Sequence, residues 1–228
     1  MENYRYDLHI HSALSPCAEN NMTPVTIVGE AAIIGLDFVA VADHNAIENV
    51  EVALRAGEAY GVKVVPAMEL QTDEEIHILC LFENFNDLKA FFEEIKFSKM
   101  QNRKEIFGEQ LIMDEDDNVV GELTRMLLAS ADISSDDVPK LIKKHNGVAI
   151  PAHIDREMNG MLQILGTVTD GYKTVEISSR ASADFVEKWK QTHKVVVDSD
   201  AHQLCDMSDK GQIELPEYSV KALLNALR

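Results

Sequence analysis

Residues 4–11 read Tyr4-Arg5-Tyr6-Asp7-Leu8-His9-Ile10-His11, a predicted β-strand over residues 4–10 that ends in two histidines. A helix is expected next, because Thr23 suits an N-cap and Pro24 suits the first helical position. That helix would run to about Ile34 and end at Gly35. The stretch therefore predicts a strand followed by a helix, with two histidines at the carboxyl end of the strand.

The same alternation recurs along the chain. The predicted strands are short and nearly all apolar, which is typical of parallel strands covered on both faces. We therefore predict an α/β fold whose strands, about seven in number, either close into a barrel or form an open sheet. Later strands are expected at 37–42, 62–67, 75–82, 147–151, 174–177 and 195–197, and helices at 46–60, 86–99, 135–145, 182–192 and after Pro216.

Residues 101–134 do not follow this alternation of strands and helices. They contain the acidic run Asp114-Glu115-Asp116-Asp117 followed by Asn118. The terminal bidentate glutamate of a calcium-binding EF-hand loop is absent, so a solvated turn or loop is favoured over a calcium site. We interpret 1–228 as a single domain with a mostly helical or loop insertion at about 101–134.

Composition sets outer limits on function. The chain has 39 acidic and 21 basic residues, a net charge of −18. Such a surface repels phosphate backbones at long range, so we expect a small phosphorylated substrate rather than an extended nucleic-acid duplex. Three unpaired cysteines, Cys17, Cys80 and Cys205, indicate a reducing cytoplasm. No signal-peptide pattern and no bilayer-length apolar run occur, so no membrane partner is expected.

Six of the eight histidines lie within or just after predicted strands. The carboxyl ends of parallel strands share one edge, where active sites are built. His145 and His193 lie near helix ends instead, and we interpret both as structural. The edge set consists of His9, His11, His44, His77, His153 and His202, accompanied by the acids Glu69 and Asp200.

Neutral imidazole and carboxylate together suit zinc, iron or manganese. His9 and His11 are two residues apart on a strand, so both side chains point the same way and could chelate one ion. Each signal alone is weak: His77 could be a core histidine, and His44 could simply be bonded to Asp43. The joint placement at one edge is what predicts a metal site.

At these residues the sequence resembles the PHP family, the polymerase and histidinol phosphatase domain. The similar motifs are spread over nearly the whole chain in the family's order. They are Asp7-Leu8-His9-Ile10-His11-Ser12, Val41-Ala42-Asp43-His44-Asn45, Pro66-Ala67-Met68-Glu69, Ile76-His77, Pro151-Ala152-His153 and Asp198-Ser199-Asp200-Ala201-His202.

The resemblance implies a distorted seven-stranded (β/α) barrel, TIM-like, with two or three divalent metal ions at the carboxyl edge of the strands. One metal would be held by His9, His11, Glu69 and Asp200. Glu69 would bridge to a second metal held by His77 and His153, and His44 and His202 would hold a third.

The third metal of the family usually has one more ligand shortly after the His-x-His pair. Aligning Ser15 with the family's serine places Cys17 there, and thiolate is an acceptable zinc or iron ligand. Glu19 is the rival ligand, and an inert Cys17 is the structural alternative. Glu176 matches a position where the family often has an acid near the site, and we expect it to support a ligand.

The function implied is metal-dependent phosphoester hydrolysis of a small phosphate monoester or nucleotide phosphoester by a metal-activated water. Glu69 would be essential, and Asp200 or His202 could pass a proton to the leaving oxygen. Arg156, Arg180 and Ser179 are possible phosphate contacts.

An amidohydrolase is a rival function, but that class commonly uses a carboxylated lysine where Glu69 stands here. The alternative is a non-catalytic metal-binding module acting through a protein partner. The sequence sets no oligomeric state.

Overall fold

The protein is described here by a computed structural model that covers all residues from Met1 to Arg228 and has an α/β fold. The strands are β1 Glu2–Ile10, β2 Phe38–Val41, β3 Lys63–Val64, β4 Ala67–Gln71, β5 His77–Leu81, β6 Leu111–Met113, β7 Val119–Glu122, β8 Val148–Pro151, β9 Thr174–Ser178, β10 Lys194–Asp198 and β11 Gly211–Leu215. The helices are α1 Pro24–Ile34, α2 Val50–Tyr60, α3 Phe85–Glu94, α4 Lys104–Phe107, α5 Val138–Lys144, α6 Met161–Leu165, α7 Ala183–Lys190 and α8 Val220–Leu227. No helix among them combines the length and apolar composition that a membrane crossing needs.

The first helix begins and ends where the sequence indicates. The Thr23 hydroxyl accepts a hydrogen bond from the Thr26 backbone N–H at 3.1 Å, which caps α1. Gly35 follows the helix with φ 79°, and its N–H bonds to carbonyls of the last turn. These caps bring the chain back beside β1 to form β2, which pairs parallel to β1.

The expected parallel arrangement is wrong for β5, which runs antiparallel to both β4 and β8. The physical reason is the length of the connection, because only residues 72–76 separate β4 from β5. A parallel crossover needs a dozen or more residues, whereas a hairpin does not. As a result, the amino end of β5 lies at the carboxyl edge of β4 and β8.

The hydrogen-bonded ladders form four separate sheets, with strand orders β11-β1-β2-β3, β10-β9, β4-β5-β8 and β6-β7. Isolated parallel bridges connect Ile10 to Ala201 and His44 to Glu69. No continuous closed barrel is present. Within residues 101–134, the structure has the β6–β7 hairpin as well as the short helix α4, a difference from the mostly helical or loop segment expected.

Inward-facing residues of seven strands form the main core with α8. Tyr6 and Leu8 of β1 belong to this cluster, together with side chains from β2, β4, β5, β8, β10 and β11. Between Asp7 and Ile10 the pairing of β1 with β2 shifts register, so three steps along β1 match two along β2. Such a bulge re-aims side chains, which explains how Leu8 packs in the core while His9 joins the polar site above it.

Candidate metal centre

The edge of the strands brings together every histidine predicted for the site. His9 and His11 lie at the end of β1, His44 follows β2, and His153 follows β8. His77 opens the antiparallel strand β5, and it therefore reaches the same edge as the carboxyl ends. Glu69 lies in the middle of β4, and Asp200 and His202 follow β10. All of these residues are buried except His202, which is partly exposed.

The Glu69 carboxylate is the centre of the cluster. Its Oε1 atom lies 2.9 Å from His77 Nδ1 and 3.2 Å from His9 Nε2. The same oxygen lies 3.3 Å from His153 Nε2. Its Oε2 atom lies 2.7 Å from His44 Nδ1. One buried acid therefore faces imidazoles from four different segments of the chain.

Asp200 completes the other side of the cluster. Its Oδ1 atom lies 3.0 Å from His11 Nε2 and 3.6 Å from His9 Nε2. His202 Nδ1 is 3.7 Å from the same oxygen. The Oδ2 atom of Asp200 is paired with the Arg156 guanidinium, which enters from the loop after β8.

The donor atoms of this cluster are suited to cations. Six buried atoms of the cluster form no well-aligned hydrogen bond, although some of them face one another at close range: His9 Nε2, His11 Nε2, His44 Nδ1, Glu69 Oε2, His153 Nδ1 and Asp200 Oδ1. Leaving such atoms unpaired is costly unless an ion or water binds them. Three groups have ligand atoms within 4.8 Å of one another: His11–His44–His202, His9–His11–Glu69 and His44–Glu69–His77. The residues present therefore fit one or more divalent ions.

Charge coupling inside the cluster is strong. Burial lowers the pKa of His9, but the carboxylates of Glu176 and Glu69 outweigh burial and hold this pKa well above its ordinary value. Burial and the imidazoles of His44 and His202 hold the pKa of His11 well below its ordinary value. Burial opposes ionisation of Glu69, yet the surrounding imidazoles lower its pKa well below the usual range. Glu69 is therefore ionised at neutral pH and available as a ligand.

Backbone strain is concentrated at the same edge. His153 has φ 30° and Asp200 has φ 50°, both in the left-handed region that residues other than glycine rarely adopt. Such conformations cost on the order of 1–3 kcal/mol each and tend to occur at functional sites. The neighbouring backbone holds them in place: the Ile154 N–H donates to Glu176 O, and the Ala201 N–H donates to the Ser199 hydroxyl.

Glu176 lies behind the cluster on β9. Its Oε2 atom is 2.8 Å from His9 Nδ1, the ring nitrogen that faces away from Glu69. Its Oε1 atom accepts the His153 backbone N–H at 3.3 Å. A carboxylate in this position orients an imidazole and raises its basicity, as acids behind metal-bound histidines do.

A second supporting network was not anticipated from the sequence. The Ser15 hydroxyl lies 3.0 Å from His11 Nδ1 and donates to Asp43 Oδ1 at 2.7 Å. Asp43 also accepts the Ser12 hydroxyl at 2.6 Å, and Asn49 donates to that hydroxyl at 2.9 Å. His11 is thus oriented by a serine in its own loop. The only sequence signal for this network is the closeness of Ser12 and Ser15 to the His-x-His pair.

The two alternatives for the third metal occupy different environments. Cys17 lines the same cavity as His44 and His202, and these imidazoles outweigh burial and lower the pKa of its thiol to about 7. Both Cys17 and Glu19 are exposed, but Glu19 does not line that cavity; its backbone N–H donates to His202 O at 3.0 Å. The geometry therefore favours Cys17.

The cluster opens into a cavity of about 800 Å³. Arg156 and Arg180 line its wall, and Ser178 lines it in place of the expected Ser179. His145 and His193 lie elsewhere: His145 Nε2 is 2.8 Å from Glu94 Oε1, and His193 Nδ1 is 2.9 Å from the Thr192 hydroxyl. The lining also includes the acids Glu75, Glu157 and Asp200, so the cavity has mixed charge.

A buried histidine–carboxylate cluster at a strand edge defines a class of hydrolase that works with bound metals. Residues 7–180 match the model of the PHP domain family, and the chain belongs to that family. Family membership supports metal-dependent hydrolase activity. A 5'-3' exoribonuclease of Haemophilus influenzae is 31% identical over 80 residues, which are 34% of this chain and 28% of that protein.

Solved structures resemble the fold. The lesion-specific endonuclease Q of Pyrococcus furiosus has a TM-score of 0.70 at 18% identity, over 99% of this chain and 56% of that chain. A protein of Bifidobacterium adolescentis, assigned as a metal-dependent phosphoesterase, has a TM-score of 0.58 at 18% identity, over 86% of this chain and 87% of that chain. An amidohydrolase of Chromobacterium violaceum with bound sulfate has a TM-score of 0.62 at 19% identity, over 97% of this chain and 96% of that chain. At these identities the likeness concerns the fold alone.

The expected exclusion of extended duplex nucleic acid is wrong. Endonuclease Q has been solved with a 27-mer duplex whose abasic lesion lies at its active site, and this chain shares its fold with a TM-score of 0.70. Net charge is a sum over the whole surface, whereas a substrate contacts one edge of the fold. Here that edge presents Arg156 and Arg180 together with acidic residues, so the charge of −18 for the whole chain does not by itself decide what binds there.

Proposed function

We propose that this protein is a metal-dependent phosphoesterase that hydrolyses a phosphate monoester or a nucleotide phosphoester, with water as the nucleophile. The observation that carries the proposal is the cluster of buried imidazole nitrogens and carboxylate oxygens around Glu69, which contains three groups of ligand atoms within 4.8 Å of one another. Membership of the PHP domain family supports it.

The ligand assignment is the one that the resemblance to the family implies, and the close grouping of His9, His11 and Glu69 supports its first ion. His9, His11, Glu69 and Asp200 would hold one ion. Glu69 would also contribute to a second ion with His77 and His153, and a third would be held by His44, His202 and Cys17. Zinc, iron and manganese all accept these donors. When bound, such ions lower the pKa of a water molecule and offset the charge on a phosphoryl group.

The chain's own side chains would do the rest. Arg156 and Arg180 line the cavity and could bind the non-bridging oxygens of the phosphate. Arg156 is already held beside the cluster by its ion pair with Asp200. Asp200 or His202 could pass a proton to the leaving oxygen, and His202 is the more accessible of the two.

We also propose a distorted seven-stranded barrel around this site, within a single domain that carries residues 101–134 as an insertion. This is supported by β8 lying beside β9 and β1 lying beside β10, which continues the order of the sheets around the core. A cytoplasmic location is supported by the three free cysteines.

The test is to load the purified protein with manganese, iron or zinc and to assay an aryl phosphate, nucleotides, and single- and double-stranded oligonucleotides. We expect hydrolysis of at least one phosphoester that is lost on chelation and restored by the metal. A folded protein that binds metal and hydrolyses none of them would favour a binding module instead. Activity unaffected by chelation would contradict the metal mechanism.

A further inference from the structure

A second cavity, of about 290 Å³, lies at the opposite end of the fold from the metal centre. Its walls include Gly147 and Val148 at the start of β8, whereas His153 follows the end of that strand. At about 3.3 Å per residue, the two ends of this segment are about 16 Å apart. No lining residue is shared between the two cavities, so this is a separate feature.

All three ionisable side chains that line this cavity are cationic: Lys143, Lys173 and Arg228. No aspartate or glutamate lines it. In a chain with 39 acidic and 21 basic residues, a random group of three ionisable neighbours would contain acids. The local charge is therefore opposite to that of the molecule as a whole.

These cations also lack the acidic partners that neighbouring lysines have. Lys144 pairs with Glu94 at 2.7 Å and Lys140 pairs with Asp137 at 3.1 Å, but Lys143 and Lys173 form no ion pair. The Arg228 guanidinium donates to Asn225 Oδ1 at 2.8 Å and to the backbone carbonyl of Asn146. Both acceptors are neutral, so no acidic side chain pairs with this guanidinium.

The floor of the cavity is apolar. Ile142, Val148, Ala149 and Leu227 line it, and all four are buried. An apolar floor with cationic side chains in the same lining is the general design of a site for a small amphiphilic ligand. The volume is near the lower end for such sites, roughly 300 Å³, which suits a body of about one ring.

We propose that this cavity is a binding site for a small organic anion, with its apolar body on the Val148–Leu227 floor and its anionic group between Lys143 and Lys173. Carboxylates and phosphates share the required chemistry. The proposal does not depend on the function proposed for the metal centre, because it uses neither its residues nor its ions.

The probe is benzoate, titrated into the full-length protein by calorimetry and by NMR of the Ala149 and Leu227 methyl groups. We expect the double variant Lys143→Glu/Lys173→Glu to bind benzoate about tenfold or more weakly than the wild type. The variant Lys99→Glu/Lys188→Glu makes the same charge change at exposed lysines outside this cavity, and it should bind as the wild type does.

Two further measurements on the wild type do not depend on a variant folding well. Added salt should weaken benzoate binding, and uncharged benzamide should bind more weakly than benzoate. The proposal would be overturned if the two double variants bound benzoate with equal affinity, or if the wild type bound benzamide as tightly as benzoate. It would also be overturned if benzoate shifted methyl signals only at the metal centre. Parallel assays with methyl phosphate and acetate would show which anionic group is preferred.

Discussion

Two regions of this protein are rich in acidic side chains, and they are built in opposite ways. In the turn between β6 and β7, Asp114 accepts hydrogen bonds from the backbone N–H groups of Asp116 and Asn118, at 2.9 and 2.8 Å. Its neighbours in the turn are exposed. At the strand edge, Glu69 and Asp200 are buried and face several imidazoles each, with few backbone or solvent groups around them.

The difference shows what distinguishes a metal centre from an acidic surface. Solvent and local backbone groups satisfy the turn, so an ion would gain little by binding there. At the strand edge the charged and polar groups are already buried in the folded protein, and an ion would bind several of them at once. A run of acidic residues in the sequence is therefore a poor indicator of a metal site. A buried cluster of carboxylates and imidazoles is a better one.

The largest expected effect comes from Glu69→Ala. The variant removes the carboxylate that faces His9, His44, His77 and His153, so metal content and hydrolysis should both fall to background, a loss of about 100-fold or more. Elemental analysis and a phosphatase assay of the loaded protein measure this. Asp114→Asn, in the exposed turn, should retain wild-type values in both assays. Full activity in Glu69→Ala would refute the proposed role of the cluster.

A smaller effect is expected for Glu176→Gln. The amide keeps the shape of the side chain but loses the negative charge beside His9 Nδ1, so metal affinity should fall about 10- to 100-fold. Competition with a metal-binding dye measures the change. Glu115→Gln, in the turn, makes the same chemical change and should leave the affinity unaltered. If the two variants behaved alike, Glu176 would have no special role in orienting His9.

Cys17→Ser is expected to affect only the binding of the proposed third metal ion. In cobalt-loaded protein, a coordinating thiolate produces a charge-transfer absorption, and this band should disappear while the other ions remain bound. Glu19→Gln should keep the band, because Glu19 does not line the cavity. A band lost in Glu19→Gln and kept in Cys17→Ser would reverse the assignment.

The smallest effect is expected in the turn itself. Hydrogen bonds from Asn118 hold the pKa of Asp114 below its usual range, so the ionised carboxylate stabilises the folded state. That contribution is present above the unfolded-state pKa and is lost as the pH falls through the folded-state pKa. Asp114→Asn should therefore lower the Tm slightly at neutral pH and not in strong acid. A difference that grew on acidification would contradict this account of the turn.

Sequence reasoning grouped the candidate site residues because most of them follow predicted strands. His44, His153 and Asp200 each lie within three residues of the end of a short apolar run, and strand ends that share an edge must converge. The α/β fold follows from the same pattern and is confirmed. The six histidines could be grouped without knowing any distance between them.

Other features depend on pairings that local pattern does not encode. The direction of β5 follows from a connection of only residues 72–76, and the apolar pattern of a strand carries no information on its direction. The strand β11 lies at an edge, and a Cβ on Gly211 would come within 2.4 Å of Tyr6 O, a close approach that only folding reveals. Ser15 and Asp43 are ordinary residue types, and their network with His11 exists only because separate loops meet.

The central claim is that the atoms around Glu69 hold divalent ions, and anomalous diffraction tests it most directly. Crystals of the protein loaded with manganese, iron or zinc would be measured at the absorption edge of the metal. We predict two or three anomalous peaks between the Glu69 carboxylate and the surrounding imidazoles, and none at the turn around Asp114. A well-ordered crystal with no peak within coordination distance of Glu69 would contradict the account.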